Sequence, residues 1–122
     1  MSFNQATIDE LSTLNSRPAN LGAWLIWYMG QFGAHVHVTE GLRSAARQRE
    51  LFAQGRTRPG PIVTNTLASR HMTGRAFDVD FVGVHPDQVH PAWWQFIGKV
   101  GEALGLRWGG RWALRDFRHF EG

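Results

Sequence analysis

Apolar residues recur along this chain at two spacings, and each spacing predicts a different kind of secondary structure. In ATIDELSTLN, Ile8, Leu11 and Leu14 recur every three residues, which predicts a short amphipathic helix. In AHVHVTEG apolar and polar residues alternate, with Val36 and Val38 on one face, which predicts a half-buried strand. RAFDVDFVGV alternates in the same way and predicts a second strand.

Residues that begin and end helices predict a longer helix in SRPANLGAWLIWYMGQFG. Ser16 can cap its start and Gly33 can end it. The stretch is too short to span a bilayer comfortably, so it is interpreted as a buried helix. Its aromatic residues Trp24, Trp27 and Tyr28 are expected in the core.

Two more helices follow from the same signals. SAARQRELFAQG runs from a capping Ser44 to Gly55, and DQVHPAWWQFIGKVGEALGL has a helix from about Pro91 to Gly105. Between the first of them and the second strand, RTRPGPIVTNTLASRHMTG predicts a long loop of the kind that is often functional. RWGGRWALRDFRHFEG predicts two short strand-like pieces around a Gly-Gly turn.

The order of these elements predicts an α+β fold, with helices packed against a small antiparallel sheet. The length favours a single domain, residues 1–122. Within it we expect a helical N-terminal part, residues 1–34, and a core, residues 35–122, that carries the chemistry.

Composition narrows the chemistry that is open to the chain. There is no cysteine, so any metal must be held by His, Asp or Glu. The net charge of +3 suits an anionic partner such as nucleic acid or cell wall, or ordinary solubility. Because the arginines are scattered rather than grouped, nucleic-acid binding has little support.

The clearest candidate for chemistry is SRHMTGRAFDVD. A turn at Gly74 can fold His71 back over the start of the strand that carries Asp78. A buried aspartate needs a positive partner, which a metal ion would supply. Arg75 or another arginine would meet the same need, so spacing alone leaves both interpretations open.

Other residues add candidates of unequal weight. In DFRHFE, His119 is a possible third ligand, and Asp116 could act as a general base through a bound water. His35 and His37 share a strand face that could bind zinc, although a solvated face is the simpler interpretation. Arg43 could bind a carboxylate or an oxyanion. The two remaining histidines, His85 and His90, are expected at the surface.

Taken together, these segments resemble the LAS-type zinc peptidases, which include D-alanyl-D-alanine carboxypeptidases and phage L-alanyl-D-glutamate endopeptidases. SRHMTGRAFDVD resembles the S-x-H-x-x-G-x-A-x-D motif of that family. TEGLRSAARQRELFAQGRT upstream, and LGLRWGGRW and DFRHFE downstream, follow the family order. The short single-domain form and ELFAQGRT look most like the phage and prophage endolysins.

The resemblance implies specific roles. Zn²⁺ would be bound by His71, Asp78 and His119, with Asp116 as the catalytic base. Arg43 would stabilise the developing oxyanion or hold the substrate, and Ser69 would lie near a substrate subsite. The expected reaction is hydrolysis of the L-Ala-D-Glu bond in the peptidoglycan stem peptide. The alternatives are a D-Ala-D-Ala carboxypeptidase on the same fold and a non-catalytic wall-binding module.

Two positions depart from the family pattern. Arg111 follows the Gly-Gly pair, where many relatives have an acidic residue. Arg118 stands immediately before the last histidine, where many relatives have proline. Neither is a candidate ligand, so the departures bear on bond specificity or wall contact rather than on metal binding.

The expected partner is the peptidoglycan stem peptide, without nucleic acid and without stable membrane association, and the expected state is a monomer. MSFNQATIDELSTL lacks the basic start and apolar stretch of a signal peptide. We therefore expect synthesis in the cytoplasm of the host and action on the cell wall, in the periplasm, after release. No separate cell-wall-binding domain is expected.

Overall fold

Four α-helices and four short strands form the described part of the chain, which is residues 3–122 of a computed structural model. Three 3₁₀ helices occur in the connections. The order is α1 (Gln5–Ser12), α2 (Ser16–Gln31), β1 (Val36–Glu40), α3 (Ala45–Ala53), a 3₁₀ helix (Arg70–Thr73), β2 (Ala76–Phe81), a 3₁₀ helix (Pro86–Gln88), α4 (Pro91–Ala103), β3 (Arg107–Trp108), a 3₁₀ helix (Gly109–Arg111) and β4 (His119–Glu121).

The strands form one antiparallel sheet in the order β1-β2-β4-β3, which confirms the predicted α+β fold. In its register, Asp78 of β2 lies directly across from His119 of β4. Because successive side chains of a strand point to opposite faces, Phe77 and Phe120 pair on the other face. The sheet therefore has one apolar and one polar face.

The helices cover the apolar face of the sheet. On β2, Phe77 and Val79 are fully buried, and Leu25 and Met29 of α2 and Ile97 of α4 are buried with them. The predicted alternation of β2 is confirmed, because its apolar side chains are buried while Asp78 and Asp80 are only partly covered. The polar face stays open for the functional site.

Most helix ends lie where the sequence predicts them. The Ser44 hydroxyl accepts the Arg47 amide at 3.1 Å and caps α3. The N-cap position of α2 is occupied by Asn15, whose side chain makes no capping hydrogen bond, and the expected cap Ser16 is the first helical residue. Gly74 ends the 3₁₀ helix Arg70–Thr73 with a φ of 70°, so the turn expected there is confirmed.

The expectation that Trp24, Trp27 and Tyr28 belong to the core was wrong. Their exposed fractions are 52%, 38% and 38%. Helix α2 buries the opposite side, where Gly22 approaches the ring of Phe77 so closely that an added Cβ would lie 3.2 Å from it. The three aromatic side chains instead pack against one another at the surface.

The Gly-Gly turn between the last two strands also needs correction. Strands β3 and β4 do pair, but residues 109–118 separate them, and Gly109 and Gly110 begin a 3₁₀ helix instead of a tight hairpin. The division into residues 1–34 and 35–122 stays a prediction, although Thr7 of α1 accepts the Val38 amide of β1 at 3.0 Å. None of the helices in residues 3–122 has both the length and the hydrophobicity that a membrane crossing requires.

Candidate metal centre and groove

Three side chains from distant parts of the sequence meet on the polar face of the sheet. His71 comes from the 3₁₀ helix Arg70–Thr73, Asp78 from β2 and His119 from β4. His71 Nε2 lies 3.2 Å from both Asp78 Oδ1 and His119 Nδ1, and His119 Nδ1 lies 3.4 Å from Asp78 Oδ1. The two histidines therefore meet the requirement that imidazoles sharing one ion lie within about 4 Å of each other.

In each imidazole, the ring nitrogen that points away from Asp78 forms a hydrogen bond with an acceptor of the protein. His71 Nδ1 donates to the Gly41 carbonyl at 2.8 Å, and His119 Nε2 donates to Glu121 Oε1 at 3.3 Å. In the neutral rings, His71 Nε2 and His119 Nδ1 are then left with lone pairs. Both lone pairs face the Asp78 carboxylate.

Three electron-pair donors this close together repel one another unless a positive species, a proton or a metal ion, lies between them. Two imidazole nitrogens and a carboxylate oxygen, all within 4.8 Å of one another, are a ligand set suited to a divalent metal. The hydrogen bonds that the two rings donate to Gly41 and Glu121 fix the ring orientations, as the outer contacts of metal-bound histidines commonly do. The residues present thus fit the metal that the family resemblance implies.

The charges at this centre favour the same interpretation. Burial raises the pKa of Asp78, but hydrogen bonds to His119 and His71 outweigh that effect and hold the pKa well below its ordinary range. Burial lowers the pKa of His119, but its bonds to Asp78 and Glu121 raise the pKa to about 9. The centre therefore attracts positive charge.

Asp116 is held beside the metal centre by its backbone. Its amide donates to the Gly109 carbonyl at 3.0 Å, and its carbonyl accepts the His119 amide at 3.3 Å. An added Cβ at Gly109 would lie 2.5 Å from the Asp116 carbonyl, so this approach requires glycine. Burial and the nearby charge of Asp78 raise the pKa of Asp116. A raised pKa suits a carboxylate that accepts and then returns a proton.

Arg43 is the arginine that contacts Asp78. Arg43 Nη2 lies 3.6 Å from Asp78 Oδ2, and the guanidinium also binds Glu40 and Gln48. Arg75, which the sequence offered as a partner, is exposed. A metal ion and an arginine are therefore compatible as partners of Asp78, because Oδ1 faces the two histidines while Oδ2 faces Arg43.

A groove of about 860 Å³ opens over these residues. It is lined by the long loop, by residues 112–116 and by side chains of the sheet, and it contains Arg43, Ser69, Asp78, Asp116 and His119. Ser69 also accepts the His71 amide at 3.2 Å, so it caps the 3₁₀ helix that carries the ligand. The predicted substrate and catalytic residues thus share one groove.

The remaining histidines lie outside the metal centre. Within residues 3–122, His71, Asp78 and His119 form the one group of this composition. His35, His85 and His90 are exposed, and His37 is partly buried. The surface position expected for His85 and His90 is confirmed.

The two arginines that depart from the family pattern form ion pairs. Arg118 Nη2 binds Asp80 Oδ2 at 2.6 Å, and Arg111 Nη2 binds Glu102 Oε1 at 2.8 Å. Arg118 also lines the groove. Of the two positions, Arg118 is the one placed to contact a substrate directly.

Two polar residues of the site were missed in the sequence. Glu121, which orients His119, stands two residues after it on the same strand face, and that spacing was an available signal. Gln48 is fully buried beside Arg43, and the helical pattern of α3 gives no hint of this.

The fold and the His–Asp–His group define a small α+β domain with a candidate metal site in an open groove. The family model described as D-alanyl-D-alanine carboxypeptidase matches residues 63–122. The peptidoglycan L-alanyl-D-glutamate endopeptidase CwlK of Bacillus subtilis is 31% identical over 102 residues, which are 73% of this chain and 61% of that protein. The chain thus spans about three fifths of the length of this relative.

Solved structures agree with the sequence matches. The L-Ala D-Glu endopeptidase ChiX of Serratia marcescens superposes with a TM-score of 0.76 at 27% identity, covering 99% of this chain and 89% of that one. The vancomycin resistance D,D-pentapeptidase VanY, solved in complex with Zn(II), has a TM-score of 0.66 at 15% identity, covering 88% and 71%. In sequence and in fold, the chain is thus similar to LAS-type zinc peptidases.

Proposed function

We propose that this protein is a zinc-dependent peptidoglycan peptidase that hydrolyses the L-Ala-D-Glu bond of the stem peptide. The observation that carries the proposal is the His71, Asp78 and His119 centre, which shares a groove with Asp116. A catalytic zinc typically has three protein ligands and one open position. The similarity to CwlK and ChiX supports the choice of bond.

Each group in the groove has a separate task in this reaction. Zinc, when bound, supplies a water of lowered pKa and polarises the substrate carbonyl. Asp116 accepts the proton of the attacking water and returns it to the leaving amine. The Arg43 guanidinium stabilises the negative charge that develops on the carbonyl oxygen. Ser69, in the loop above, contacts the bound peptide.

The main experiment is digestion of purified peptidoglycan, with and without a chelator, followed by mass spectrometry of the fragments. New N-terminal D-Glu, formed only without chelator, is the expected product. Free D-alanine as the main product would instead favour the D-Ala-D-Ala carboxypeptidase, which the matched family model supports as the second candidate.

Two variants assign roles within the site. Asp116→Asn is expected to keep the metal and lose at least about 100-fold in rate, because the general base is removed while the ligands remain. His71→Ala is expected to lose both metal and activity. Near-normal peptide release by Asp116→Asn would refute its role as the base. A metal-loaded protein that binds peptidoglycan but releases nothing would indicate a wall-binding module.

The biological setting is a further part of the proposal. We infer an endolysin-like role in lysis, with synthesis in the cytoplasm of a phage host and access to the wall after membrane damage. Cells that express the protein should lyse only when the membrane is permeabilised, which a turbidity assay measures. A single monomeric species in light scattering is expected.

A further inference from the structure

Gln48 is a polar side chain with no exposed surface and no part in the chemistry described so far. It lies on α3, with Oε1 accepting from Arg43 Nη1 at 2.9 Å. Its Nε2 donates to the Thr66 carbonyl at 2.8 Å. One buried amide therefore joins the groove arginine to the groove loop.

The bond to Gln48 completes the anchoring of Arg43. Of the five guanidinium hydrogens, those on Nε and Nη2 face Glu40 and Asp78, and one on Nη1 faces Gln48. The second hydrogen on Nη1 has no acceptor among residues 3–122. Because the guanidinium is planar and rigid, Gln48 sets the direction of this remaining hydrogen.

The hydrogen bond from Gln48 to the Thr66 carbonyl holds one wall of the groove in place. Thr66 is exposed and lies in the stretch of residues 62–69 that lines the groove. This stretch has no strand partner, and side chains from α3 and its C-terminal end hold its carbonyls. Arg56 donates to the Thr64 carbonyl at 3.1 Å, and Gln54 donates at 2.9 Å to the carbonyl of Pro61, the residue immediately before the stretch. Gln48 is the member of this set that also contacts Arg43.

We propose that Gln48 is a positioning residue that fixes Arg43 and the loop wall in one geometry for an extended peptide substrate. The inference rests on the proposed function, because it assigns Arg43 to the substrate carbonyl. Gln48 acts through Arg43 on the rate of the chemical step and through Thr66 on the fit of the peptide.

Two variants of Gln48 separate these contacts. Gln48→Leu loses both bonds, and kcat is expected to fall about 10- to 100-fold, the range for losing a hydrogen bond to a charged group near a reacting centre. Gln48→Glu keeps an oxygen for Arg43 and loses the donor to Thr66. It should raise KM more than it lowers kcat, and amides of residues 64–69 should exchange hydrogen faster.

A double-mutant cycle gives the decisive measurement. If Gln48 acts through Arg43, Gln48→Leu should change kcat by less than about 2-fold when Arg43→Lys is already present. The matched control is Gln54→Leu, which frees another loop carbonyl without contacting Arg43 and should affect KM rather than kcat. Melting temperatures and metal content are measured for every variant.

Three results would overturn the inference. Wild-type kcat in folded, metal-loaded Gln48→Leu would overturn it alone and leave the proposed function standing. Equal effects of Gln48→Leu with Arg43 and with Arg43→Lys would do the same, because they would indicate general structural damage. A wild-type protein that releases no peptide would overturn both the proposed function and this inference.

Discussion

Glu121 stands behind His119 and determines how that ring presents its other nitrogen. Glu121 Oε1 accepts from His119 Nε2, while Oε2 pairs with Arg70 at 2.5 Å. A carboxylate in this position increases the basicity of the metal-facing nitrogen. The affinity expected for a metal ion thus depends both on the candidate ligands and on the residues that hold them.

Glu121→Gln is therefore expected to weaken zinc binding about 10-fold, because the amide keeps the shape but removes the charge behind His119. Competition with a chromogenic chelator measures the affinity. Glu102→Gln is the control, since Glu102 pairs with Arg111 at the surface and should not affect zinc. Wild-type affinity in Glu121→Gln would contradict the role given to this carboxylate.

Asp78 shows what could be predicted for a single residue. Its alternation in a strand indicated a carboxylate that needs a positive partner, and the family motif named His71 and His119 as its companions. Whether that partner was a metal or an arginine could not follow from spacing, because the residues concerned are far apart in sequence. The structure places both histidines and Arg43 around it.

In helix α2, the sequence pattern predicts the helix but not which of its faces is buried. Apolar residues surround the helix on all sides, so periodicity does not select the buried face. The sheet selects it, because Gly22 allows Phe77 to approach and Leu25 and Met29 follow on the same side.

The energetic consequence can be measured by unfolding. Leu25→Ala should lower the free energy of unfolding by about 2–5 kcal/mol, since it leaves a cavity beside the sheet. Trp24→Ala should cost about 1 kcal/mol or less, because that side chain is half exposed. Urea titration of both variants checks the difference. Similar losses would mean that α2 packs with a different face.

Strand β1 contains an irregularity that alternation cannot predict. The register shifts between Val38 and Glu40, so Glu40, rather than Thr39, lies across from Asp78. Such a bulge redirects side chains locally. Here it brings Glu40 to the position from which it holds Arg43 over the centre.

The candidate metal centre joins distant parts of the chain. His71 and His119 are separated by 48 residues, so an ion bound to both is held by the folded chain and not by the unfolded one. Zinc at 100 times its dissociation constant should stabilise the fold by about 2.7 kcal/mol. For a domain of this size, that corresponds to a rise in melting temperature of roughly 10 °C.

Differential scanning fluorimetry with zinc and with chelator measures this shift. His71→Ala is the control and should melt at the same temperature in both conditions, since one ligand is missing. An unchanged melting temperature of the wild-type protein would mean that the three residues bind no metal under these conditions.

The sequence by itself determined most of the helices and strands and the absence of thiolate ligands, and through the family motif it predicted His71, Asp78 and His119 as metal ligands. These properties are local, or they depend on residue types in a fixed order. The tertiary structure alone decided which face of α2 is buried, which arginine contacts Asp78 and how Gln48 and Glu121 support the site. Those contacts join residues that are distant along the chain or depend on packing, and packing is a property of the assembled sheet and helices.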